Sequence, residues 1–356
     1  MLSQSAVPNI HKVYLKWMGF IWVFLCVSIL SFNWLVDPLW FNQGNVLTEK
    51  NFAFNERQAK LNQFIRNFHD YDCLIFGSSR TTLLPAKAFN LHHCFNLSFS
   101  GGQIEEFIAF AEYLHHYFRV QPKTVIIGVD NFNFVDFRDP LDITIYVKEK
   151  TPPVGILKTY LSIDSLLMSW RTITDQSPLS RYYDHQFEAC IRSDAPKYHP
   201  NKLDTEGLGR ADAEERQKYR FYHERAKLYK QFADIFTEAD IIAYVPPISA
   251  WHIAVMYKND VLESHINALY ATSKHFTMLI DYSFPSAITW RIDNTYDGSH
   301  YTPTVNRLIA QEINIKHFNW GLNVNNLTYD EYQLYYRKAL DIAKPHLSKE
   351  IQVTRP

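Results

Sequence analysis

The strongest constraint on this chain is the stretch from Trp17 to Val36, WMGFIWVFLCVSILSFNWLV, which runs for twenty residues without a charge. At about 1.5 Å per residue a helix of that length matches the ~30 Å hydrocarbon core of a bilayer, so the expected state is a transmembrane helix. Lys12 and Lys16 precede it, and the first charges after it are Asp37 and Glu49. The positive-inside rule then keeps residues 1–16 in the cytoplasm and puts the rest of the chain on the outer side. A cleaved signal has a shorter apolar region ending in small residues, whereas this one ends SFNWLVDPLW, which reads as a retained anchor. Trp34 and Trp40 suit an interfacial aromatic belt at its outer end.

Of the 356 residues 47% are hydrophobic, enough for one large domain beyond the anchor, and disorder is not expected. Formal charge is −1 with both signs interspersed, so no basic stripe is available to neutralise phosphates and nucleic acid is not an expected partner. Residues 37–70 read as a mixed linker in which NERQAKLNQFIRNF has the pattern of a short amphipathic helix. From residue 71 the pattern changes. CLIF (73–76), CFNLSF (94–99), TVIIGVD (124–130), IIAYV (241–245) and TMLIDYS (277–283) are short, nearly continuous apolar runs, the signature of parallel strands covered on both faces. Ile104, Phe107, Ile108, Ala111 and Leu114 mark a helix between the second and third runs, and TPTVNRLIAQEI (302–313) starts another with Pro303 in its first turn.

This alternation predicts a three-layer α/β fold, a doubly wound parallel sheet over residues 71–356 with a helical insertion at 136–239. PVGILKTYLSIDSLLMSW and AEERQKYRFYHERAKLYKQFADIF within it are both periodic, and together they are read as a cap over one end of the sheet with a loop at 193–213. Cys73 and Cys94 begin the first two strands and can be neighbours in space. Simple burial is the commoner outcome for such residues, and a disulfide is the alternative.

In an open α/β sheet, chemistry gathers outside the carboxyl ends of the strands. The first strand runs into Gly77-Ser78-Ser79-Arg80, the second into Ser100-Gly101-Gly102, the third into Asp130-Asn131, and after the fifth comes Asp297-Gly298-Ser299-His300. Each block alone is ordinary turn chemistry. Their order and placement after successive strands are what single them out. The adjacent pairs His92-His93 and His115-His116 give no metal spacing.

Together the four blocks resemble the SGNH or GDSL hydrolase superfamily across roughly residues 70–315. The resemblance implies Ser79 as nucleophile, His300 and Asp297 as the rest of a triad, and Gly101 or Gly102 with Asn131 as oxyanion donors, with no metal and no cofactor. Two departures stand out: Ser78 replaces the family's Asp before the nucleophile, and Asp130-Asn131 exchanges its Asn-Asp order. Arg80 is a candidate for binding an anionic polymer or a neighbouring carboxylate.

With an N-terminal anchor and a Gly-Ser-Ser segment, the chain looks most like the membrane-anchored branch involved in alginate O-acetylation and teichoic-acid D-alanylation. That likeness implies a single-pass protein of the bacterial cytoplasmic membrane whose catalytic domain faces the periplasm or exterior. It would transfer or hydrolyse O-acyl groups on a cell-envelope polysaccharide beside a membrane-bound O-acyltransferase. A non-catalytic partner of such an acyltransferase, using the same fold, is the alternative reading.

Overall fold

The computed structural model describes residues 10–52, 54–90, 92–135, 155–195, 197–200 and 221–353. Its helices are α1 (Ile10–Val36), α2 (Glu56–Asn67), α3 (Ile104–Phe118), α4 (Ile156–Tyr160), α5 (Ile163–Ile173), α6 (Ala226–Ile235), α7 (Ala250–Lys258), α8 (Leu262–Ser273), α9 (Pro303–Ile315) and α10 (Tyr329–Val353). Its strands are β1 (Cys73–Phe76), β2 (Cys94–Asn96), β3 (Thr124–Gly128), β4 (Arg181–Tyr183), β5 (Ala189–Ile191), β6 (Asp240–Val245), β7 (Met278–Asp281) and β8 (Leu322–Asn323).

Six strands form one sheet in the order β2-β1-β3-β6-β7-β8, parallel except for β8. The five apolar runs expected to be strands are its five parallel members. β8 adds an antiparallel edge two residues long, too short to carry a pattern in sequence. Alternate side chains go to opposite faces, as the pleat requires. Leu74, Phe76, Val125, Ile127 and Ala243 join a large cluster with Phe107 and Leu114 of α3, Tyr229 and Phe232 of α6 and Leu269 of α8. Ile75, Ile126, Ile242 and Ile280 face the other way, onto Val305, Ile309 and Ile313 of α9.

Local signals set the helix starts. Asn55 accepts the Gln58 N–H at the head of α2, Gln103 and Glu106 form a capping box on α3, and Pro303 opens α9. α10 packs on the sheet through Tyr332 and Tyr336, whose hydroxyls donate to the buried Asp281 at 2.6 and 2.7 Å.

α1 is long and apolar enough to cross a membrane, and from Val13 to Val27 its side chains are mostly exposed. The insertion does not simply cap the sheet. α4 and α5 pack against α1, while the β4–β5 hairpin reaches back to α2 and the end of β2. Much of the expected loop at 193–213 and the first part of the charged helix at 213–236 lie outside the described residues.

Cys73 and Cys94 sit opposite each other in the β1–β2 register with Cα atoms 4.2 Å apart, and they form a disulfide rather than two buried thiols. It closes a loop with a sequence separation of 21 residues. Replacing both cysteines with serine in the full-length protein should lower its stability by about 3 kcal/mol. Urea unfolding in detergent measures this, and an unchanged midpoint would refute a structural role for the bridge.

Candidate active site

The turn after β1 is held from several sides. The N–H groups of Thr81 and Thr82 donate to the Ser78 carbonyl at 3.0 and 3.2 Å. Tyr244 donates its hydroxyl to Thr81 Oγ1 at 3.0 Å, and Asn96 Nδ2 donates to the Thr81 carbonyl at 3.0 Å. Ser79 is thereby fixed, half-buried, at the carboxyl end of the sheet.

The loop before α9 comes to meet it. His300 Nε2 lies 2.8 Å from Ser79 Oγ, and His300 Nδ1 lies 2.6 Å from Asp297 Oδ2. The other oxygen of Asp297 accepts the backbone N–H groups of Ser299 and His300 at 2.9 and 2.7 Å. A carboxylate opposite Nδ1 makes that nitrogen the protonated one and leaves Nε2 to accept from the serine hydroxyl. Burial alone would raise the Asp297 carboxyl, but its bonds to His300 and Ser299 outweigh this and hold it below the usual carboxylate range. Tyr296 stacks on the imidazole, with centroids 5.5 Å apart and planes 15° from parallel. Gly298 has φ +81°, and an added Cβ would meet the Tyr198 ring at 2.7 Å, so both the turn and its packing call for glycine. Its carbonyl accepts the Ser249 N–H at 2.8 Å, which ties the loop to the head of α7.

Arg80 points along the site rather than out of it. Its Nε donates to Ser299 Oγ at 2.8 Å and an Nη to Asn131 Oδ1 at 2.9 Å, and its guanidinium lies 3.5 Å from Asp130. The neighbouring carboxylate expected for it in sequence is therefore present. Asp130 is fully buried, and no described residue makes a well-formed hydrogen bond to either of its oxygens. Burial raises its carboxyl above the usual range, an effect that Arg80 and Ser78 only partly offset. With Asn131 Oδ1 turned to Arg80, the amide NH2 is the end left to donate.

The glycines after β2 differ. Gly102 donates its N–H to the Phe99 carbonyl at 3.1 Å, so that group is occupied. Gly101 has φ +62°, the left-handed region, and among the described residues neither its N–H nor that of Ser79 has an acceptor. The residue before Gly101 is held tightly. Ser100 donates its N–H to Glu56 at 2.5 Å, accepts at its hydroxyl from Arg181 and accepts at its carbonyl from Arg57 at 3.3 Å. Arg57 in turn makes a bidentate pair with Glu106 at 2.8 and 3.0 Å.

Ser79, His300, Asp297, Arg80, Asn131 and Gly101 are therefore brought to one end of the sheet. Sequence reading did not assign the supports Tyr296, Tyr198 and the Glu56–Arg181 pair, and it gave YVPPIS (244–249), which ends in Ser249, only as a segment that could line the site or be a Pro-Pro turn. The half-buried His252 is also nearby, its ring nitrogen 3.2 Å from Ser249 Oγ, and burial with the Arg80 charge pushes it down to about 4. Of these, only the Ser249 segment carried a signal, since YVPPIS follows a strand. Comparison with protein-family models, with curated proteins and with solved structures finds no match to this chain.

Removing the guanidinium should strand Asp130. Arg80→Met is expected to cost about 3 kcal/mol of stability, the order found when one partner of a buried pair is deleted. Adding Asp130→Asn should recover most of the loss. Chemical denaturation of the two variants checks this, and an Arg80→Met protein as stable as wild type would refute a structural pairing of Arg80 with Asp130.

Proposed function

We propose that this protein is a membrane-anchored serine acyltransferase or esterase of SGNH type that handles O-acyl groups of a cell-envelope polysaccharide through an ester on Ser79. The observation that carries this reading is the continuous Ser79–His300–Asp297 relay, at 2.8 and 2.6 Å, at the carboxyl end of a parallel sheet.

In the first step Ser79 Oγ attacks the acyl carbonyl carbon while His300 Nε2 takes the hydroxyl proton. Asp297 holds the imidazole tautomer and stabilises the imidazolium. The oxyanion is met by the N–H groups of Ser79 and Gly101 and by the Asn131 amide, donors already oriented before the substrate arrives. Collapse of the tetrahedral intermediate breaks the bond to the leaving alcohol, which receives the proton from His300. An acyl group is then esterified to Ser79. In the second step a sugar hydroxyl attacks that ester, with His300 again taking and returning the proton. Water in the same place gives hydrolysis instead. Arg80, engaged with Ser299 and Asn131, serves to hold the Asn131 amide in place rather than to bind polymer.

Transfer is favoured over hydrolysis by α1, because an anchor keeps the site beside a membrane-embedded acyl donor such as an O-acyltransferase and a free esterase has no such need. The outer face of the bacterial cytoplasmic membrane agrees with the lysines before α1 and with the Cys73–Cys94 disulfide, which suits an oxidising compartment.

Incubating the full-length protein in detergent with a fluorophosphonate or an activated acetyl ester should add one adduct by intact mass, absent in Ser79→Ala. Asp297→Asn should acylate about 10⁴-fold more slowly. No adduct on folded wild-type protein would overturn the catalytic reading in favour of a non-catalytic partner of an acyltransferase.

A further inference from the structure

α5 is inside out for a helix bathed in water. Ser165, Ser169 and Thr172, at i, i+4 and i+7, are its buried face. Ile163, Leu167 and Trp170, at the same spacing, are 74, 54 and 59% exposed. Asp164 and Arg171, seven residues apart, share a third flank. Just before it, Leu157 and Leu161 are also exposed. A soluble amphipathic helix puts the apolar stripe inward and the small polar residues outward. Small hydroxyl residues on the buried face and large apolar residues outside is the arrangement that lipid selects.

The position of α5 agrees. α4 and α5 pack against α1, the helix with the length and composition of a membrane span. The junction is fastened by polar bonds at the outer end of α1. Asn33 Nδ2 donates to the Tyr160 carbonyl at 2.7 Å, Tyr160 donates its hydroxyl to Asp37 at 2.6 Å, and Trp34 meets the Tyr160 ring edge-on at 5.8 Å. Asp37 also accepts the N–H groups of Phe41, Asn42 and Gly44 at 2.7–2.9 Å, which fixes the direction of the chain as it leaves the helix.

We infer that α4 and α5 form a lipid-seated platform: Leu157, Leu161, Ile163, Leu167 and Trp170 lie in the headgroup–acyl boundary beside the outer end of α1, with Asp164 and Arg171 toward water. This rests on the reading of α1 as a membrane span. The domain is then attached at two places, and its tilt and rotation relative to the bilayer are set. The platform is wired to the site. Asn51 donates to the Asp37 carbonyl at 3.3 Å and exchanges backbone bonds with Tyr183 at 2.9 and 2.8 Å. Tyr183 and Arg181, in the hairpin that follows α5, both donate to Glu56, whose other oxygen holds Ser100 beside Gly101.

The test places the photocrosslinker p-benzoylphenylalanine singly at Trp170, at Phe24 of α1 or at Tyr117 in the full-length protein. Tyr117 is half exposed at the far end of α3, the end of the sheet opposite Ser79. After reconstitution in vesicles of phosphatidylethanolamine and phosphatidylglycerol, irradiation and intact-mass analysis should find phospholipid adducts at Phe24 and Trp170 in similar yield and none at Tyr117. Adduct at Phe24 without adduct at Trp170 would overturn the platform and leave the span standing. Lack of adduct at Phe24 would overturn the reading of α1 and the platform with it. If Trp170 in native membranes crosslinks to a protein in place of lipid, that face belongs to a protein partner and the lipid seat is wrong.

Discussion

The buried pair of Glu56 and Arg181 is the interaction on which the arrangement around the site depends. Burial would raise the Glu56 carboxyl, but the charges of Arg181 and Lys60 and the bonds from Ser100 outweigh it and keep the group below the usual range. Removing a partner from such a pair leaves an uncompensated charge, so α2, the β4–β5 hairpin and the end of β2 hold together or fail together. Lys60 shows how crowded this region is. Its ammonium makes no hydrogen bond to a described residue, lies 5.0 Å from the Tyr183 ring centroid, and is pushed down by burial to about 7. A rigid polar cluster of this kind suits the oxyanion role proposed for Gly101, because such a donor acts only if it is in place before charge develops.

The two positions at which the sequence departs from the SGNH pattern it resembles lie side by side in the structure. In sequence, Ser78 lacks the expected carboxylate and Asp130 stands where an Asn is expected, 52 positions away. β1 and β3 are neighbours in the sheet, with Phe76 opposite Ile127, so the residues that follow them meet. Asp130 sits against Ser78 and beside Arg80. Position 78 carries no carboxylate, the adjacent strand end does, and Arg80 links that carboxylate to Asn131, one residue later. On this geometry Asn131 keeps a donor near the site even though its place in the sequence is shifted by one.

What was legible in the sequence follows from the range of each signal. The five parallel strands were readable because each is covered on both faces and so is mostly apolar. The blocks containing Ser79, Asn131, Asp297 and His300 were readable because each follows a strand, and the parallel sheet brings such segments to one end. β8 was not, since two residues carry no period. α10 had a signal that went unused: Tyr332, Tyr336, Leu340, Ala343 and Leu347 recur at helical spacing and are buried. The Cys73–Cys94 bridge depended on register, which no local pattern specifies, and the partners of Glu56 lie 125 and 127 residues away in the insertion. Contacts of that range belong to tertiary structure alone.

The insertion is where local pattern pointed the wrong way. Periodicity in PVGILKTYLSIDSLLMSW indicates a helix but not which face is wet, and a chain read as soluble after residue 36 assigns the apolar stripe to the sheet. The structure turns Ser165, Ser169 and Thr172 inward instead. A single spanning helix leaves a domain free to swivel about its linker, and under the proposed function a site that takes an acyl group from within or beside the membrane gains from losing that freedom, since orientation counts as much as proximity in a transfer step. The path from Asp37 through Asn51 and Tyr183 to Glu56 and Ser100 is built from buried or half-buried hydrogen bonds, not from a flexible tether. On the readings proposed for α1 and for Gly101, the lipid seat and the oxyanion donor are two ends of this one hydrogen-bonded path.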